Sequence, residues 1–314
     1  MTPPVVGLRA VQVEAQAKIN LRLRILAREV SGFHQIETLF LRVALADTVR
    51  VRRTSGARSL DVGGAVDLSA IGAVEDNLAW RAAESFLAAS GERDGFAIEI
   101  EKRIPLGGGL GGGSADAGAV LRALNATSET PLHEQTLLHI AQRLGSDVPF
   151  LASDHAYALA WGRGERMLSL APPPSRPVLL VLPDFSVSTA DAYAWLDAQR
   201  AEGGRRERLD LASLHVGDLG DWRALQDVAI NDFEWPVPMR HPELLDYLNR
   251  LSRLGSGLSL MSGSGSTVFG VGVNREDGGP IVLGATATAA FKDAACTLVR
   301  TVTSERVEPV SPIE

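Results

Sequence analysis

The sequence predicts a two-domain α/β protein, and three observations support this fold class. The chain has 314 residues, which is long enough for two domains with separate hydrophobic cores. In its first half, segments of alternating apolar and polar residues surround a glycine-rich loop that is followed by a helical pattern. The proline-rich segment 171–177 then precedes a new strand and a new helix. We place the boundary at the end of GRGE (162–165) and predict domains over residues 1–165 and 166–314.

The glycine-rich loop PLGGGLGGGSADA, residues 105–117, is the strongest functional signal in the chain. It lies between a predicted strand, 96–104, and a predicted helix, 114–125. Glycines allow backbone conformations that other residues avoid, and they leave backbone N–H groups uncovered. The first turn of the helix adds unpaired N–H donors and the positive end of the helix dipole. Together these features predict a binding site for a polyphosphate.

Several common classes of glycine-rich segment do not fit this loop. A flexible linker is disfavoured because patterned elements flank the loop on both sides. A Rossmann unit would continue into a second strand ending in an acid, whereas SETPLHEQ at 128–135 is polar and turn-like. A Walker A loop would carry lysine where this chain has Gly113. A protein-kinase loop would be followed by a strand carrying a lysine, whereas the pattern here predicts a helix.

Other polar residues are candidates whose role the spacing alone leaves open. Lys18 and Asn20 lie two residues apart, on one face of the first predicted strand, where a solvated face is the simpler interpretation. Asp147 fits an ordinary turn or N-cap position as well as it fits a functional carboxylate. His34 follows Phe33 at the exit of a predicted turn, and such a pair is more often packed in a core than part of a site.

Composition and charge exclude several functional classes. The formal net charge is −7, which gives no support for nucleic acid or an anionic membrane as the main partner. The single cysteine, Cys296, cannot form an intrachain disulfide, which fits a reducing cytoplasm. No apolar run approaches the roughly 18 residues of a membrane span, and the N-terminus lacks a basic-then-apolar signal pattern. The histidines lack the spacing of metal ligands, so no structural metal site is expected.

Three segments resemble the motifs of the GHMP kinases, the superfamily of galactose, homoserine, mevalonate and phosphomevalonate kinases. The glycine-rich loop resembles their phosphate loop, MSGSGSTVFGV (261–271) their C-terminal glycine motif, and AKINLRLRI (17–25) their N-terminal motif. Within the superfamily, the resemblance points to the branch that phosphorylates a cytidyl-diphospho sugar alcohol in non-mevalonate isoprenoid synthesis. The segments that carry this finer resemblance are SGFHQIETLF (31–40), GSDVPF (145–150), VSTADAY (187–193) and NDFE (231–234).

The resemblance implies a ribosomal-S5-like N-terminal domain and a ferredoxin-like C-terminal domain, with ATP and the acceptor meeting between them. It implies that Asp147 accepts the proton of the acceptor hydroxyl and that Lys18 orients this carboxylate and balances its charge. The implied cofactor is ATP, with Mg²⁺ carried by the nucleotide. The implied acceptor-binding residues are Asn20, Phe33, His34 and Tyr193. The implied ATP-binding residues are Asn77, Lys102, Pro105, Leu106, Gly107, Gly108, Gly109, Leu110, Gly111, Gly112, Gly113, Ser114 and Ala115.

The chain also departs from the family pattern. Phe33 stands where the family often has tyrosine, so a hydroxyl contact is lost while the stacking face remains. Ser146 replaces an alanine, and Ser266 and Thr267 are left without an assigned role. Two alternatives stay open: a homoserine- or mevalonate-type kinase, and a non-catalytic sensor of nucleotides or sugars on the same fold. The oligomeric state, monomer or homodimer, also stays open.

Overall fold

The computed structural model describes residues 9–66, 72–203, 215–272 and 285–313, which form an α/β fold around two sheets. The sequence EGGRRERLD predicts a polar loop at 202–210, and most of this loop lies outside the described residues. The strands are β1 (Ala10–Arg28), β2 (His34–Thr54), β3 (Arg58–Gly64), β4 (Gly95–Lys102), β5 (Tyr157–Gly162), β6 (Arg166–Ser169), β7 (Pro177–Pro183), β8 (Ile230–Asn231), β9 (Leu258–Met261), β10 (Val268–Val271), β11 (Cys296–Val302) and β12 (Ser311–Pro312). The α-helices are α1 (Leu78–Ser90), α2 (Gly112–Thr127), α3 (Glu134–Leu144), α4 (Val148–Ala152), α5 (Thr189–Ala201), α6 (Trp222–Val228), α7 (Glu243–Arg253) and α8 (Ala285–Ala290).

The first sheet is built on the long antiparallel hairpin of β1 and β2. Its main path runs β12-β1-β2-β4-β3, with β5 and β6 extending from β2 and with β8 paired to β1. The register of β1 against β2 shifts between Gln16 and Lys18 and again between Asn20 and Arg22. Such irregularities bend a strand and redirect its side chains, and they are common beside functional sites.

The alternation in β1 separates an apolar face from a polar face. The side chains of Val11, Val13, Ile19 and Leu21 are fully buried in the main core, where α1 and α2 cover the sheet. The opposite face carries Lys18, which is buried as well. The solvated-face interpretation of the polar residues in β1 is therefore wrong, because elements from the second half of the chain cover that face.

The second sheet has the strand order β11-β7-β10-β9, and all its neighbours are antiparallel. Taken with α5, α7 and α8, the chain order of these elements is the ferredoxin-like arrangement predicted above. The sequence also predicts a helix over residues 224–234. The observed helix α6 ends earlier, at Val228. A 3-10 helix over Asp232–Glu234 follows, and Asn231 caps its N-terminus. The Asn231 side chain accepts a hydrogen bond from the backbone N–H of Phe233 (2.9 Å).

The local predictions around the glycine-rich loop are confirmed, whereas two boundaries differ. Helix α1 begins after Asn77, and α2 covers the predicted helix 114–125. The sequence predicts a strand that ends at Val43 and one or two further short strands over residues 47–60. The segment from Asp47 to Thr54 is instead the continuation of β2, because no turn residue interrupts the chain before it. The predicted domain boundary at 165/166 falls in the β5–β6 hairpin, so the first sheet continues through Ser169. The division into 1–165 and 166–314 stays a prediction, since β8 and β12 from the second half also join the first sheet.

Candidate active site

The glycine-rich loop crosses from β4 to the N-terminus of α2 in a backbone conformation that requires glycine. Gly107, Gly109 and Gly111 have φ values of 72°, 76° and 75°, in the left-handed region that other residues rarely adopt. A Cβ atom on Gly109 would lie 2.1 Å from the carbonyl oxygen of Ser262. The loop is therefore held tightly against the second domain, which is not how a flexible linker behaves.

The C-terminal glycine motif, residues 261–271, contacts this loop and holds it in place. The Oγ of Ser262 donates a hydrogen bond to the carbonyl oxygen of Gly109 (2.9 Å), and the backbone N–H of Thr267 donates to the carbonyl oxygen of Gly108 (3.3 Å). Ser266, the other residue left without a role above, donates from Oγ to the carbonyl oxygen of Phe185 (2.6 Å). The motif thus positions the loop. The hydroxyls of Ser262 and Ser266 are hydrogen-bonded inside the protein, whereas Oγ1 of Thr267 is buried without a hydrogen-bond partner among the described residues.

The segment NDFE (231–234) fixes the C-terminal glycine motif in turn. The Nδ2 of Asn231 donates to the carbonyl oxygens of Met261 (2.7 Å) and Gly263 (2.8 Å). The backbone N–H of Met261 donates to Oε1 of Glu234 (2.6 Å). Burial raises the pKa of the Glu234 carboxyl to about 7, although the hydrogen bond from Met261 acts in the opposite direction. Asn231 and Glu234 therefore act on the glycine-rich loop indirectly, by fixing the motif that holds it.

The ammonium group of Lys18 lies where the loop and the second half of the first domain meet. Its Nζ donates hydrogen bonds to the carbonyl oxygen of Gly109 (2.8 Å) and to Oδ1 of Asn20 (2.8 Å). It also lies 3.3 Å from Oδ2 of Asp147. The backbone N–H of Lys18 donates to the carbonyl oxygen of Leu110 (3.0 Å), so the strand itself is tied to the loop. The structure therefore brings Lys18 and Asp147 together, as the resemblance implies.

Asn20 holds Lys18 in place. Its Oδ1 accepts from the lysine ammonium, and its Nδ2 donates to Oγ1 of Thr38 (2.8 Å). The hydroxyl of Thr38 donates in turn to the carbonyl oxygen of Arg22 (2.7 Å). This chain of hydrogen bonds fixes the amide beside the ammonium. The predicted contact between Asn20 and the acceptor stays a prediction.

Asp147 occupies the N-cap position of α4, yet its carboxylate does not cap the helix. Its side chain makes no capping hydrogen bond, and Pro149 follows in the first turn. The side chain is 26% exposed, whereas that of Lys18 is 3% exposed. The carboxylate is therefore partly accessible while it contacts the buried lysine, which is an arrangement that a proton acceptor can use.

A cavity of about 1570 Å³ opens beside this pair, and the predicted acceptor residues Phe33, His34 and Tyr193 line it. The rings of His34 and Tyr193 are stacked with centroids 4.5 Å apart. Phe33 is 57% exposed, which excludes the packed core pair considered above. The cavity extends to the segment that carries Asp147, because Ser146 and Pro149, on either side of Asp147, also line it. Burial, and secondarily the charge of Asp147, raise the pKa of the Tyr193 hydroxyl to about 12.

Sequence analysis missed two residues of this cavity. Nε2 of His34 lies 2.8 Å from Oδ1 of Asp197. Asp197 follows Tyr193 by four residues on α5, so the two side chains lie on the same face of the helix. This spacing is the sequence signal that could have identified Asp197. The guanidinium of Arg163 lies over the ring of Phe33, 4.1 Å from its centroid. Arg163 lies in the β5–β6 turn, and nothing in the local sequence marks it.

Asn77 and Lys102 are the two implied ATP-binding residues outside the loop, and the resemblance assigns them to the adenine. Both have partners inside the protein. Oδ1 of Asn77 accepts a hydrogen bond from the backbone N–H of Ala79 (2.9 Å) and caps α1. The Lys102 side chain is 2% exposed, and its Nζ lies between Asp47 and Asp116. The geometry therefore gives no support to a contact between the Lys102 ammonium and the adenine. The predicted role of Asn77 stays a prediction.

The N-terminal turn of α2 is open enough to accept a phosphate group, as the surroundings of Gly113 indicate. Gly113 is exposed in the first turn of α2, and a Cβ atom built there would find only Cδ1 of Leu78, at 3.8 Å. The N-terminal end of the helix is therefore uncovered, as phosphate binding requires.

Within the described residues, no group of three or more His, Cys, Asp and Glu side chains is arranged to hold a metal ion. In the same residues, no helix is both long and apolar enough to cross a membrane.

Comparison with known proteins identifies the family. The family model "GHMP kinases N terminal domain" matches residues 77–155, and "GHMP kinases C terminal" matches residues 211–285. A 4-diphosphocytidyl-2-C-methyl-D-erythritol kinase from Pelotomaculum thermopropionicum is 39% identical, with 83% of this chain and 89% of the relative covered. The kinase of the same name from Solibacter usitatus is 36% identical, with 84% and 81% covered. The chain belongs to the GHMP kinase family.

Solved structures of GHMP kinases show the same fold. A crystal structure of 4-(cytidine 5'-diphospho)-2C-methyl-D-erythritol kinase superposes with a TM-score of 0.72 at 33% identity, covering 93% of this chain and 99% of that one. Homoserine kinase from Cytophaga hutchinsonii gives the same TM-score, 0.72, at 18% identity, with 98% and 99% covered. At that identity the likeness shows the fold alone. The two-domain α/β prediction, with a ribosomal-S5-like and a ferredoxin-like domain, is confirmed.

We expect Gly113→Val to weaken nucleotide binding by about tenfold or more, because a branched side chain at this open position shields the backbone N–H groups of α2 from the phosphates. The site has room for the side chain, so the variant is expected to fold. Calorimetric titration with ADP measures the effect. The smaller Gly113→Ala is the matched control, with an intermediate loss. Unchanged ADP affinity in folded Gly113→Val would mean that the phosphates bind elsewhere.

Proposed function

We propose that this GHMP kinase transfers the γ-phosphoryl group of ATP to the 2-hydroxyl of 4-diphosphocytidyl-2-C-methyl-D-erythritol, giving the 2-phosphate and ADP. The reaction belongs to non-mevalonate isoprenoid precursor synthesis. The observation that carries the proposal is the contact of 3.3 Å between Nζ of Lys18 and Oδ2 of Asp147, at the junction of the glycine-rich loop and the large cavity. The names of the relatives described above support the choice of acceptor.

The glycine-rich loop and α2 hold the phosphates of ATP in this proposal. The uncovered backbone N–H groups of the first helical turn, together with the helix dipole, favour a polyanion. The loop has no Walker lysine, so Lys18 supplies positive charge from β1 instead. Mg²⁺ arrives with the nucleotide and neutralises phosphate charge when bound. Ser114, in the same turn of α2, is the side chain we assign to the phosphates or to this ion.

Asp147 accepts the proton of the acceptor hydroxyl. The hydroxyl oxygen forms a bond to the γ-phosphorus, the bond from this phosphorus to the bridging oxygen of ADP breaks, and the proton passes to the carboxylate. The ammonium of Lys18 orients the carboxylate and balances its charge before the transfer. Since phosphoryl transfer depends mainly on positioning and charge stabilisation, this pair and the loop together are sufficient protein machinery.

The cytidine end of the acceptor binds in the cavity of Phe33, His34 and Tyr193. A pyrimidine is recognised by flat groups on its faces and by hydrogen bonds at its edge. We assign the faces to Phe33 and Tyr193 and the edge to His34. This arrangement requires the imidazole of His34, which is stacked on Tyr193 here, to move to the edge of the base. Asp197, 2.8 Å from the imidazole, is placed to orient it.

Tyr193→Ala is expected to raise KM for the cytidyl substrate by roughly 5- to 150-fold, since base stacking contributes about 1–3 kcal/mol. Tyr193→Phe, the matched control, keeps the stacking face and should behave nearly as the wild type. KM for ATP should change little in either variant. If Tyr193→Ala lowers the Tm and leaves the acceptor KM unchanged, Tyr193 is a packing residue and the cytidine assignment fails.

An ADP-release assay over a panel of acceptors tests the proposed function. The panel contains the cytidyl alcohol, homoserine, mevalonate and galactose at equal concentrations. We expect turnover of the cytidyl alcohol alone to rise well above the acceptor-free rate. Preference for homoserine or mevalonate would assign another GHMP activity, and no turnover with intact ADP binding would favour the sensor alternative.

A further inference from the structure

Lys102 forms a buried ionic bridge beneath the glycine-rich loop. It lies on β4, and its Nζ contacts Oδ2 of Asp47 on β2 and Oδ2 of Asp116 on α2, the latter at 2.7 Å. The side chains of Lys102, Asp47 and Asp116 are 2%, 0% and 7% exposed. One ammonium therefore joins two strands of the first sheet to the helix that begins at the loop.

The bridge holds both ends of the loop. Oδ1 of Asp47 accepts hydrogen bonds from the backbone N–H groups of Arg103 (2.5 Å) and Ile104 (2.8 Å), which lead into the loop. Asp116 lies in the first two turns of α2, where the loop ends. A Cβ atom on Gly112 would lie 3.4 Å from Nζ of Lys102, so the ammonium is directly under the N-terminal turn of the helix.

Stability alone is a poor explanation for this arrangement. Removing charged groups from water opposes the gain from their attraction, so buried ion bridges contribute little net stability compared with apolar packing. In addition, Oδ1 of Asp116 is buried without a hydrogen-bond partner, which is unfavourable. What the bridge does provide is a fixed relation between Asp47, at the entry of the loop, and Asp116, at its exit.

We infer that Lys102 is a positioning residue for the nucleotide phosphates, acting through Asp47 and Asp116 on the glycine-rich loop and not through contact with the adenine. The inference rests on the proposed function in taking this loop as the phosphate site. The uncovered N–H groups of the loop bind phosphate well only when their positions are fixed, and displacements of the order of 1 Å reduce such interactions strongly. The bridge supplies this rigidity without touching the ligand.

The test uses two variants of the bridge, Asp116→Asn and Lys102→Met, and the double variant. Each single variant is expected to weaken ADP binding and to raise KM for ATP by about tenfold, with KM for the acceptor unchanged. GTP serves as a second donor, and its KM should rise by the same factor as that of ATP, because the two nucleotides share the triphosphate. The double variant should be no worse than the more impaired single variant, since both remove the same link.

Arg53→Met is the matched control. Arg53 is a buried cation that joins β2 to the opposite end of α2, through Glu92 and through Oγ1 of Thr127 (3.2 Å). Its loss should lower the Tm and leave the nucleotide affinities unchanged. Asp116→Asn provides a mild, nearly isosteric change in case Lys102→Met does not fold.

Two results would overturn the inference. In the first, Lys102→Met changes the ratio of KM for ATP to KM for GTP while Asp116→Asn has no effect, which would indicate an adenine contact. In the second, the bridge variants behave as Arg53→Met does, with a lower Tm and unchanged ADP affinity. ADP binding does not depend on the acceptor, so a failure of the proposed acceptor assignment would be seen separately in the acceptor panel.

Discussion

Asp147→Asn lowers kcat by roughly 10²- to 10⁴-fold while ATP still binds, if this carboxylate accepts the proton of the acceptor hydroxyl. The substitution keeps the shape of the side chain and removes the basic oxygen that lies 3.3 Å from Nζ of Lys18. Because Asp147 makes no capping hydrogen bond, the loss of charge should leave α4 intact. Steady-state kinetics and calorimetric titration with ADP on the same preparation measure both quantities.

The control for this variant is Asp61→Asn, which removes the same charge at an exposed position on β3. We expect wild-type kinetics from it. An Asp147→Asn enzyme that keeps more than a tenth of the wild-type kcat would remove Asp147 from the mechanism, and the lysine would then act on the phosphates alone.

Lys18→Met should reduce kcat by a comparable factor, about 10²-fold or more, because Asp147 then lacks the cation that orients it and balances its charge. Methionine keeps the length and apolar body of the side chain, which packs beside Gly111. The carbonyl of Gly109 retains the hydrogen bond from Ser262, so the loop keeps one of its supports. The measurement is kcat for the single variant and for its combination with Asp147→Asn.

The double variant decides whether the two residues act as a unit. If Lys18 works by orienting Asp147 and balancing its charge, the combined loss should be close to that of the more impaired single variant. Losses that multiply would contradict the coupled pair and would assign the two residues independent roles. A nearly unchanged kcat in Lys18→Met would exclude the lysine altogether.

Local sequence patterns were sufficient to predict the structure of the glycine-rich loop and of the helix that follows it. The glycine triplets and the following helical pattern are contiguous, so their geometry depends on few tertiary contacts. The same holds for the cap of α1 at Asn77. The helix predicted over 224–234 failed for the opposite reason, since β8 forms only because β1 is available to pair with it.

The pairing of Lys18 with Asp147 could not be predicted from spacing, because the two residues come from distant parts of the chain. Burial of the polar face of β1 depends on elements that follow much later, so in isolation that face fits solvent equally well. The environment of Lys102 was hidden for the same reason, since its two carboxylates belong to β2 and α2. Only the family resemblance pointed to Lys18 and Asp147 as the proposed catalytic pair, and it assigned Lys102 a contact that the geometry does not support.

Identification of the reaction product is the most direct test of the proposed phosphorylation of the acceptor. The enzyme is incubated with ATP and 4-diphosphocytidyl-2-C-methyl-D-erythritol, and the products are followed by ³¹P NMR and mass spectrometry. The proposed reaction gives equal amounts of ADP and of a product that carries one additional phosphate, on the 2-hydroxyl. ADP formed without a phosphorylated acceptor, or a phosphate on any other hydroxyl, would contradict it.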